Sequence, residues 1–550
     1  MECSNKQLII LMAGKASRLY PLTFGFPKGL LSIKQKPAIY NMMLPFINKG
    51  LRDIILVVNE ENKSLIEDFM TDSFSNLKLN VSYVIQKDFS GPGKAFELTK
   101  DYIKNNKGVI LLLSDTLCKY PSNFDNSWIG VKKVSDDIKE NYCIIGDKDN
   151  KIISIIDKPK CKTEYNNAAI GLYYFKDSVL LKDVLNKKIE KIKNEYQLSS
   201  YFNEYIKKEN MYIENIDDWE DIGTLENYMK ANKNNFNCRA FNNLYLDDFG
   251  VLCKKSKYSK VTSEMNWFKN IENTGFESLS PKFYESYKSD DEYGVEFYDY
   301  LTLSEYLTYY PLKDENRKYI FKMLLNKLIP IYKTKVSSNI DFENLLLEML
   351  ITKTRNRLNK WNRKDLINSK YININGTTYK GILNLLIELD PYIKDICRSS
   401  NNYISIIHGD PAFSNILFSP RNMLFKFIDP RGNFGIDTVY GDYRYDIAKL
   451  RHCYHGRYDE IVNDLYVVNE SKENDIFNIS LKYYKNVDYS IYDEIILEHN
   501  LNLDDVELIE GLLFISMIPL HDDYPERQIA FFARGIEILN NQLKRREKVC

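Results

Sequence analysis

The sequence predicts two domains, an α/β domain with a doubly wound sheet followed by a separate α+β domain. Apolar runs typical of buried parallel strands occur at 8–12, 53–58 and 109–113, and helical apolar spacing separates them. A chain of 550 residues is also too long for one hydrophobic core. The polar, asparagine-rich stretch 231–243 is typical of a linker between domains.

The first domain is placed at 1–236 and the second at 237–550. Within the first, helical spacing at 38–49 and 65–70 alternates with the strand-like runs, and 81–85 continues the series. Alternating strands and helices favour a parallel sheet with crossover helices, in which ligands lie at the carboxyl ends of the strands.

Composition limits the possible partners and compartments. Net charge is −1, from 75 basic and 76 acidic residues, so no global field favours nucleic acid or an anionic membrane. The start, MECSNKQ, lacks a signal-peptide pattern, and no uncharged stretch approaches the roughly 20 residues of a membrane helix. Nine scattered cysteines favour reduced thiols. We expect a cytoplasmic protein that binds small molecules; a homo-oligomer remains open.

The first apolar strand runs into a loop suited to phosphate. Small residues such as Gly14 and Ser17 let backbone N–H groups approach a polyphosphate, and Arg18 can bind its oxygens through two parallel hydrogen bonds. Lys28 adds a second cation. The alternative is a surface turn after a core strand, with ordinary solvated lysine and arginine.

The whole string 8–31, LIILMAGKASRLYPLTFGFPKGLL, resembles the N-terminal signature of the nucleotidylyltransferases that activate sugar phosphates and phosphocholine. One position departs from that signature, since Ala16 stands where the family has its second glycine. A methyl group there would crowd a nucleotide or demand a backbone dihedral that alanine tolerates poorly.

Two further segments follow predicted strands. The glycine-rich stretch 86–95, with Gln86 and Gly91, suits a loop that closes over a flat base, although a plain connecting loop is the alternative. Asp115 follows the strand 109–113, where a buried carboxylate is costly unless a cation or hydrogen bonds compensate it. A structural cap is the alternative for Asp115.

The resemblance implies a Rossmann-like nucleotidyltransferase domain and assigns three more roles. Lys158 would hold the phosphate of the substrate, and Asp115 and Asp221 would jointly hold Mg²⁺. A phosphate monoester would attack the α-phosphate of a nucleoside triphosphate, CTP or another. Arg18 and Lys28 would neutralise the developing charge while pyrophosphate leaves.

In the second domain, 404–415 supplies a strand followed by Asp410 and, five residues later, Asn415. The strand 424–428 then ends on Asp429. Asp410 could take a proton from an attacking hydroxyl, and Asn415 and Asp429 could hold Mg²⁺ beneath ATP. His408, just before Asp410, is equally explained as a buried structural histidine.

These residues resemble the aminoglycoside phosphotransferase and choline kinase superfamily, whose fold is similar to protein kinases. The resemblance implies that Lys255 pairs with Glu264 and reaches the ATP phosphates, with Lys254 left open as the alternative. Taken alone, the lysine and the glutamate would be solvated surface residues. Glu296, in the segment 293–298, would belong to the adenine hinge.

The remainder of the second domain predicts a mostly helical larger lobe, at 312–400 and 456–545, with Asp446 as a structural acid. Choline kinases usually carry an aromatic residue and a glutamate after the metal-binding aspartate. Pro430-Arg431-Gly432 stands there instead, so choline is not favoured as acceptor. No glycine-rich loop precedes Lys254.

The leading hypothesis is a bifunctional enzyme. It would phosphorylate a sugar, polyol or choline-like alcohol with ATP and couple a phosphate monoester to a nucleoside monophosphate, giving a precursor for surface glycans such as capsule, or for lipids. In a second hypothesis the kinase-like domain only binds or regulates. In a third, Ala16 and the missing glycine-rich loop indicate a nucleotide-binding scaffold without activity.

Overall fold

The computed structural model describes most of the chain. The described residues are 3–20, 23, 27–33, 36–118, 120–121, 123–159, 163–192, 194–233, 242–256, 260–289, 291–310, 312–334, 336, 340–434, 436–473 and 476–549. Pro21 and Leu22 of the loop signature, and 234–241 of the predicted linker, lie outside these ranges. The chain divides into two compact units, Met1–Asn237 and Cys238–Cys550.

The first unit alternates strands and helices. Its strands are β1 (Lys6–Leu11), β2 (Ser32–Ile33), β3 (Lys36–Pro37), β4 (Asp53–Val58), β5 (Asn80–Ile85), β6 (Gly108–Leu113), β7 (Thr116–Cys118), β8 (Ser127–Lys133), β9 (Cys143–Lys148), β10 (Lys151–Asp157), β11 (Asn167–Phe175), β12 (Met211–Asn215) and β13 (Trp219–Asp221). Its helices are α1 (Ala38–Asn48), α2 (Glu60–Phe74), α3 (Pro92–Glu97), α4 (Ser178–Leu185), α5 (Leu198–Ile206) and α6 (Leu225–Lys233).

A nine-stranded sheet in the order β5-β4-β1-β6-β11-β8-β12-β10-β9 forms the centre of this unit. Strands β5, β4, β1 and β6 are parallel, whereas β11 pairs antiparallel with both β6 and β8. The chain winds outward from β1 through β4 to β5 and then returns to β6 on the other side of β1. That reversal opens a crevice at the carboxyl ends of β1 and β6, where ligands bind in such sheets.

The apolar runs of the sequence form the buried strands. All six residues of β1 and of β4 are buried, as are five of the six in β6. The predicted helix at 38–49 is α1, and the predicted helix at 65–70 lies within α2. The expected α/β fold of the N-terminal region is therefore confirmed.

In its described residues the second unit has four sheets and a larger helical part. Its strands are β14 (Asn242–Leu246), β15 (Val251–Ser256), β16 (Phe283–Ser289), β17 (Glu292–Glu296), β18 (Leu301–Thr302), β19 (Tyr371–Ile374), β20 (Thr377–Lys380), β21 (Ile404–Ile406), β22 (Ile416–Ser419), β23 (Leu424–Phe427), β24 (Tyr440–Asp442), β25 (Tyr466–Glu473) and β26 (Ile476–Tyr483). Its helices are α7 (Lys260–Asn270), α8 (Phe276–Leu279), α9 (Leu303–Tyr309), α10 (Asp314–Tyr332), α11 (Phe342–Leu347), α12 (Lys353–Leu358), α13 (Lys364–Ile367), α14 (Ile382–Arg398), α15 (Tyr443–Tyr454), α16 (Tyr458–Val462), α17 (Ile491–Glu498), α18 (Leu503–Met517) and α19 (Pro525–Val549).

An antiparallel sheet in the order β14-β15-β17-β16 begins this unit, with α7 placed between β15 and β16 in the chain. Strands β14 and β15 pair as an antiparallel hairpin. The rest of the unit packs around one large core, in which α15 is buried along its whole length and α18 along all but its first two residues.

The prediction that 312–400 and 456–545 are helical is wrong for two segments. Strands β19, β20, β25 and β26 form a four-stranded sheet within these ranges. In β26 the side chains alternate between more and less exposed positions, because the sequence IFNISLKY places apolar residues at every second position. Among the described residues, no helix is long and apolar enough to cross a membrane.

Candidate active sites

The loop after β1 and Asp115 after β6 lie together because their strands are neighbours. Strands β1 and β6 pair in parallel, with Leu11 opposite Leu113. The chain therefore leaves both strands at the same edge of the sheet. Gly14 and Ser17 are exposed there, and a Cβ built on Gly14 would have no heavy atom within 4 Å. That open space leaves room for a ligand to approach the backbone of the loop.

Asp221 reaches the same place through a short strand pair. Strand β13 pairs antiparallel with β7, which places Asp221 opposite Thr116, the residue after Asp115. The backbone N–H of Ile222 donates to the carbonyl of Asp115 at 2.9 Å. Two acids separated by 106 positions in the sequence thus become neighbours.

Both acids converge with Arg18 around Gly223. A Cβ built on Gly223 would lie 2.9 Å from Oδ1 of Asp221, 3.3 Å from Oδ2 of Asp115 and 3.5 Å from Nη2 of Arg18. The Nζ of Lys28 lies 3.0 Å from Oδ2 of Asp115. The structure therefore brings together four of the residues predicted for this site, two carboxylates and two cationic side chains.

The two carboxylates have opposite pKa shifts. Burial alone would raise the pKa of Asp115, but Lys28 and Arg18 hold it below its ordinary value. Burial and the nearby charge of Asp115 raise the pKa of Asp221, although the N–H of Gly223 donates to its Oδ1 at 2.7 Å. A carboxylate with a raised pKa beside a second carboxylate is stabilised by a further cation.

This donor set fits Mg²⁺, a hard cation that prefers oxygen ligands and is usually held by one or two carboxylates together with substrate phosphates. Asp115 and Asp221 supply two such carboxylates. In the described parts of the chain no group of three or more histidine, cysteine or acidic side chains could hold a metal ion. The remaining ligands would therefore come from phosphate and water.

Ala16 adopts a left-handed conformation, with φ 50° and ψ 36°. Of the two consequences considered for an alanine at this position, the structure shows the backbone dihedral that alanine tolerates poorly. The hydroxyl of Thr23 donates to the carbonyl of Ala16 at 2.9 Å and helps to hold the turn.

The glycine-rich loop at 86–95 faces the first loop. The side-chain amide of Gln86 donates to the carbonyl of Gly91 at 3.2 Å, and Gly91 has φ 104°. The ammonium of Lys15 lies 4.4 Å from the centre of the Phe89 ring. The two loops thus border one open surface.

Lys158 is exposed and has φ 44°. Its backbone N–H donates to the carbonyl of Tyr142 at 3.1 Å, and the Tyr142 hydroxyl donates to Oδ2 of Asp221 at 3.5 Å. Tyr142 therefore links Lys158 to the carboxylate pair. Tyr142 could not be predicted from the sequence, because no motif marks a tyrosine before strand β9.

In the second unit, Lys254 forms an ion-paired centre with two acids. Its Nζ lies 2.7 Å from Oε2 of Glu264 on α7 and 2.7 Å from Oδ1 of Asp429. The hydroxyl of Tyr293 also donates to Oε2 of Glu264, at 2.7 Å. Glu264 is fully buried and Lys254 nearly so.

The expected pairing of Lys255 with Glu264 is wrong. Lys255 faces the opposite side of β15, where it is half exposed and lies 3.5 Å from Asp291 and 3.7 Å from Glu292. Successive side chains of a strand point to opposite faces, so only one of the two lysines can face α7. Lys254, the alternative left open by the sequence, is that residue.

Hydrogen bonds connect the turns that carry Asp410, Asn415 and Asp429. The amide nitrogen of Asn415 donates to the carbonyl of Asp410 at 2.9 Å, and the N–H of Ile428 donates to the carbonyl of Asn415 at 2.9 Å. Asp429 has φ 56°, an uncommon conformation for a residue other than glycine and one often found at functional sites. The side chain of Asp429 remains 42% exposed beside Lys254.

Asp446 on α15 fixes the turn before Asp410. Its carboxylate accepts hydrogen bonds from the backbone N–H groups of His408 and Gly409, at 2.8 and 2.9 Å, and from the hydroxyl of Tyr332 at 3.0 Å. Burial lowers the pKa of His408 to about 4, and its ring packs against Trp267 and Phe427. His408 therefore has the surroundings of a buried structural histidine.

Lys449 pairs with Asp410 at 3.0 Å. Burial alone would raise the pKa of Asp410, but the ammonium of Lys449 outweighs it and lowers that pKa below its ordinary value. The sequence motifs assign no role to Lys449. Lys449 belongs to α15, a helix that is buried along its whole length. A lysine in such a helix indicates a nearby carboxylate, because a buried cation requires one.

Glu296 is the last residue of β17. Its Oε2 accepts a hydrogen bond from the hydroxyl of Tyr298 at 2.7 Å, and its backbone N–H donates to the carbonyl of Lys282 at 2.9 Å. Glu296 thus lies where the strand ends, within the segment 293–298 predicted as a hinge.

Comparison with known proteins assigns the first unit. A family model described as Nucleotidyl transferase matches residues 7–237. A glucose-1-phosphate thymidylyltransferase of Mycolicibacterium smegmatis is 28% identical over 236 residues, which cover 40% of this chain and 80% of that protein. The bifunctional protein GlmU of Methanococcus vannielii is 30% identical over 235 residues, 41% of this chain and 53% of that protein.

The structure of UDP-glucose pyrophosphorylase complexed with UDP-glucose is 22% identical, covering 42% of this chain and 99% of that one, with a TM-score of 0.38. So low a score adds nothing to the fold assignment. The family match spans the phosphate loop, both acids and Lys158. Residues 7–237 are therefore a nucleotidyl transferase domain.

Proposed function

We propose that the chain is a bifunctional enzyme, a nucleotidyltransferase joined to a small-molecule kinase. The observation that carries the proposal is that each unit gathers oxygen ligands for a metal beside cations suited to phosphate. In the first unit these are Asp115 and Asp221 with Lys28 and Arg18, with 3.0 Å between Lys28 and Asp115. In the second, Asp429 lies 2.7 Å from Lys254, and Asn415 is bound to the turn of Asp410 by a hydrogen bond of 2.9 Å.

In the first reaction an oxygen of a phosphate monoester attacks the α-phosphorus of a nucleoside triphosphate. A new P–O bond forms while the bond to pyrophosphate breaks, so no protein nucleophile is needed. Arg18 and Lys28 neutralise charge on the phosphates, and Lys158 holds the phosphate of the acceptor. Mg²⁺ held by Asp115 and Asp221 would supply further charge neutralisation.

The names of the relatives support a sugar 1-phosphate as the monoester. Besides the thymidylyltransferase, the UTP–glucose-1-phosphate uridylyltransferase of Mycoplasma genitalium is 26% identical over 273 residues, 42% of this chain and 92% of that protein. We therefore propose that the first unit makes an activated sugar or a similar nucleoside diphosphate compound. The nucleotide base is left to experiment, with CTP one candidate.

In the second reaction the hydroxyl of a small compound attacks the γ-phosphorus of ATP. The bond from that phosphorus to ADP breaks, and Asp410 accepts the proton of the hydroxyl. Lys254, fixed by Glu264, contacts the ATP phosphates. The side-chain amide nitrogen of Asn415 donates to the carbonyl of Asp410. The side-chain oxygen of Asn415, together with Asp429, would bind Mg²⁺.

The two reactions would be consecutive, because the kinase makes a phosphate monoester and the transferase consumes one. We propose that the product is a precursor for cell-surface glycan or lipid. A pyrophosphate-release screen tests this: the four nucleoside triphosphates are assayed against sugar 1-phosphates, polyol phosphates and phosphocholine, and then against the unphosphorylated compounds with ATP.

We expect pyrophosphate with at least one monoester, and also with its unphosphorylated form once ATP is added. The second activity must disappear in Asp410→Asn while the first persists. If Asp410→Asn retains turnover from the unphosphorylated compound, the second unit only binds or regulates. If no combination releases pyrophosphate, the transferase proposal is wrong.

A further inference from the structure

Helix α15 contributes two side chains to the turn that carries Asp410. The carboxylate of Asp446 accepts the backbone N–H groups of His408 and Gly409, at 2.8 and 2.9 Å. One turn further along the helix, Nζ of Lys449 lies 3.0 Å from Oδ1 of Asp410. Residues three positions apart lie on the same face of a helix, so one face of α15 binds both the backbone of the turn and its carboxylate.

Lys449 also lines a cavity of about 200 Å³ in the second unit, together with Asp410 and Asp429. The side chain of Lys449 is 10% exposed, and α15 is buried along its whole length. Its position is therefore fixed by the packing of the helix, at the wall of the cavity and beside the proposed base.

The ammonium of Lys449 has the capacity to bind a ligand as well as Asp410. An ammonium carries three N–H donors, and a thioether sulfur is a weak acceptor. In the described part of the chain, Nζ of Lys449 contacts Oδ1 of Asp410 at 3.0 Å and Sδ of Met517 at 3.8 Å. An oxygen anion in the cavity can therefore accept a hydrogen bond from Lys449 while the pair with Asp410 persists.

The turn that carries the proposed base supplies no cation of its own. The segment 408–415, HGDPAFSN, contains neither lysine nor arginine. Arg431 approaches the turn from the next strand end, where its Nη1 donates to the hydroxyl of Tyr445 at 3.3 Å. Within the described residues, Lys449 is the cation that forms an ion pair with the carboxylate of Asp410.

The proposed kinase reaction brings a phosphoryl group close to this ammonium. A hydroxyl must lie within about 2.6–3.2 Å of Asp410 to give up its proton, and its oxygen about 3–3.5 Å from the γ-phosphorus before the bond forms. The transferred group is therefore near the carboxylate that Lys449 contacts. Charge in the transition state spreads over the three oxygens of that group, and a fixed cation beside them stabilises it.

We propose that Lys449 is a catalytic residue of the kinase reaction, and that its ammonium donates to an oxygen of the transferred phosphoryl group while it stays paired with Asp410. This inference rests on the proposed kinase function and deepens it. During the reaction the hydroxyl oxygen bonds to the γ-phosphorus, the bond to ADP breaks, and Asp410 takes the proton. Lys449 keeps its own protons throughout.

The test does not require the acceptor, because aluminium fluoride bound beside ADP mimics the phosphoryl group during transfer. Calorimetry on the full chain measures Kd for ADP with Mg²⁺, first alone and then with aluminium fluoride. A mimic of the transition state binds more tightly than the ground state. We expect the fluoride to lower Kd for ADP at least about tenfold in the unchanged protein, and Lys449→Met to lose at least about tenfold of that gain.

A double-mutant cycle distinguishes contact with the phosphoryl group from support of Asp410. Asp410→Asn removes the carboxylate charge, and Lys449→Met is then added, so that no carboxylate is left without its cation. The fluoride-dependent gain should be at least about tenfold smaller in the double variant than in Asp410→Asn, the contribution of one charge-assisted hydrogen bond. Kd for ADP and Mg²⁺ without fluoride should be the same in both.

Lys322→Met is the matched control. Lys322 is an exposed lysine of the same unit, pairs with Glu498 at 2.8 Å and does not line the cavity. This variant should change neither constant. Thermal unfolding with ADP and Mg²⁺ shows that each variant is folded.

If the double variant keeps the whole fluoride-dependent gain of Asp410→Asn, Lys449 acts only through Asp410, and the inference is overturned while the kinase proposal stands. The inference is also overturned if the unchanged protein shows no such gain. If neither ADP nor ATP binds with Mg²⁺, the proposed kinase function fails, and this inference fails with it.

Discussion

The two units each gather acids and cations, but they balance the charges differently. In the first, Lys28 pairs with Asp115 and, together with Arg18, lowers the pKa of that carboxylate. The pKa of Asp221 is raised. In the second, Asp410 and Asp429 each have a lysine at 2.7 to 3.0 Å. The two carboxylates of the first site therefore repel each other, whereas Asp410 and Asp429 of the second site each lie beside a lysine.

The assembly of the sites also differs. Asp115 and Asp221 come from strands 106 positions apart, joined by the β7–β13 pair. Asp410, Asn415 and Asp429 lie within 20 positions and share backbone hydrogen bonds. A local site can be found from spacing alone, whereas a site built from distant strands is found only through the motifs of its family.

The largest expected effect separates the two activities. Asp410→Asn removes the proposed base and should lower ADP formation by about 10²–10⁴ while pyrophosphate release from a ready-made monoester is unchanged. Asp221→Asn should do the reverse and lower pyrophosphate release by about 10²–10³. Paired assays of both variants test whether the units act independently; a variant that lowers both rates equally would break the comparison.

The next effect distinguishes adjacent lysines. Lys254→Met should raise KM for ATP and destabilise the second unit by about 3 kcal/mol, because it leaves the buried Glu264 beside Asp429 without their cation. Lys255→Met is the matched control and should change the free energy of unfolding by no more than about 0.5 kcal/mol. Urea unfolding and ATP titration measure both.

If the two variants behave alike in both measurements, the assignment of Lys254 as the paired lysine is wrong. A loss of stability without any change in KM for ATP would instead make the ion pair purely structural.

A pH profile should show the difference in charge balance directly. The pKa of Asp221 is raised before Mg²⁺ binds, so at low Mg²⁺ concentration its ionised form, and with it pyrophosphate release, is lost at a higher pH on acidification than for an ordinary aspartate. The pKa of Asp410 is lowered, so ADP formation should persist to lower pH. The acid limbs of kcat/KM for the two reactions measure this order.

Lys449→Met provides the control for that profile. Removing the ammonium takes away the charge that lowers the pKa of Asp410, so the acid limb of ADP formation should move to higher pH. The acid limb of pyrophosphate release should stay where it is. Coincident limbs in the unchanged protein would contradict the contrast between the two sites.

The smallest effect concerns the loop of the first unit. Ala16→Gly removes the left-handed strain of about 1 kcal/mol, partly offset by the greater entropy of glycine in the unfolded chain, and should lower KM for the nucleotide a few-fold. Ala13→Gly is the matched control, since Ala13 is buried just before the loop and should only lose stability. Thermal unfolding and initial rates distinguish them; a lower Tm for Ala16→Gly would contradict the strain.

Much of the first unit could be predicted from the sequence, for physical reasons. The runs that form β1, β4 and β6 are almost continuously apolar because both faces of a central parallel strand are buried. Asp115 stood out as a carboxylate at the end of such a strand. Its approach to Asp221 could be predicted only from the family resemblance.

Other features were beyond the sequence. Lys254 and Lys255 are identical neighbours, and a shift of one residue exchanges the faces of a strand, so only the register of β15 with β17 decides between them. Strands β25 and β26 were missed although β26 alternates, because the surrounding helices dominated the pattern.

The short strand β13 has a consequence for synthesis of the protein. It delivers Asp221 near the end of the nucleotidyl transferase domain, after every strand of the large sheet. A growing chain on the ribosome can therefore form the phosphate loop and Asp115 well before its second carboxylate exists. If Asp221 holds Mg²⁺ as proposed, the domain can release pyrophosphate only after this last strand has been translated.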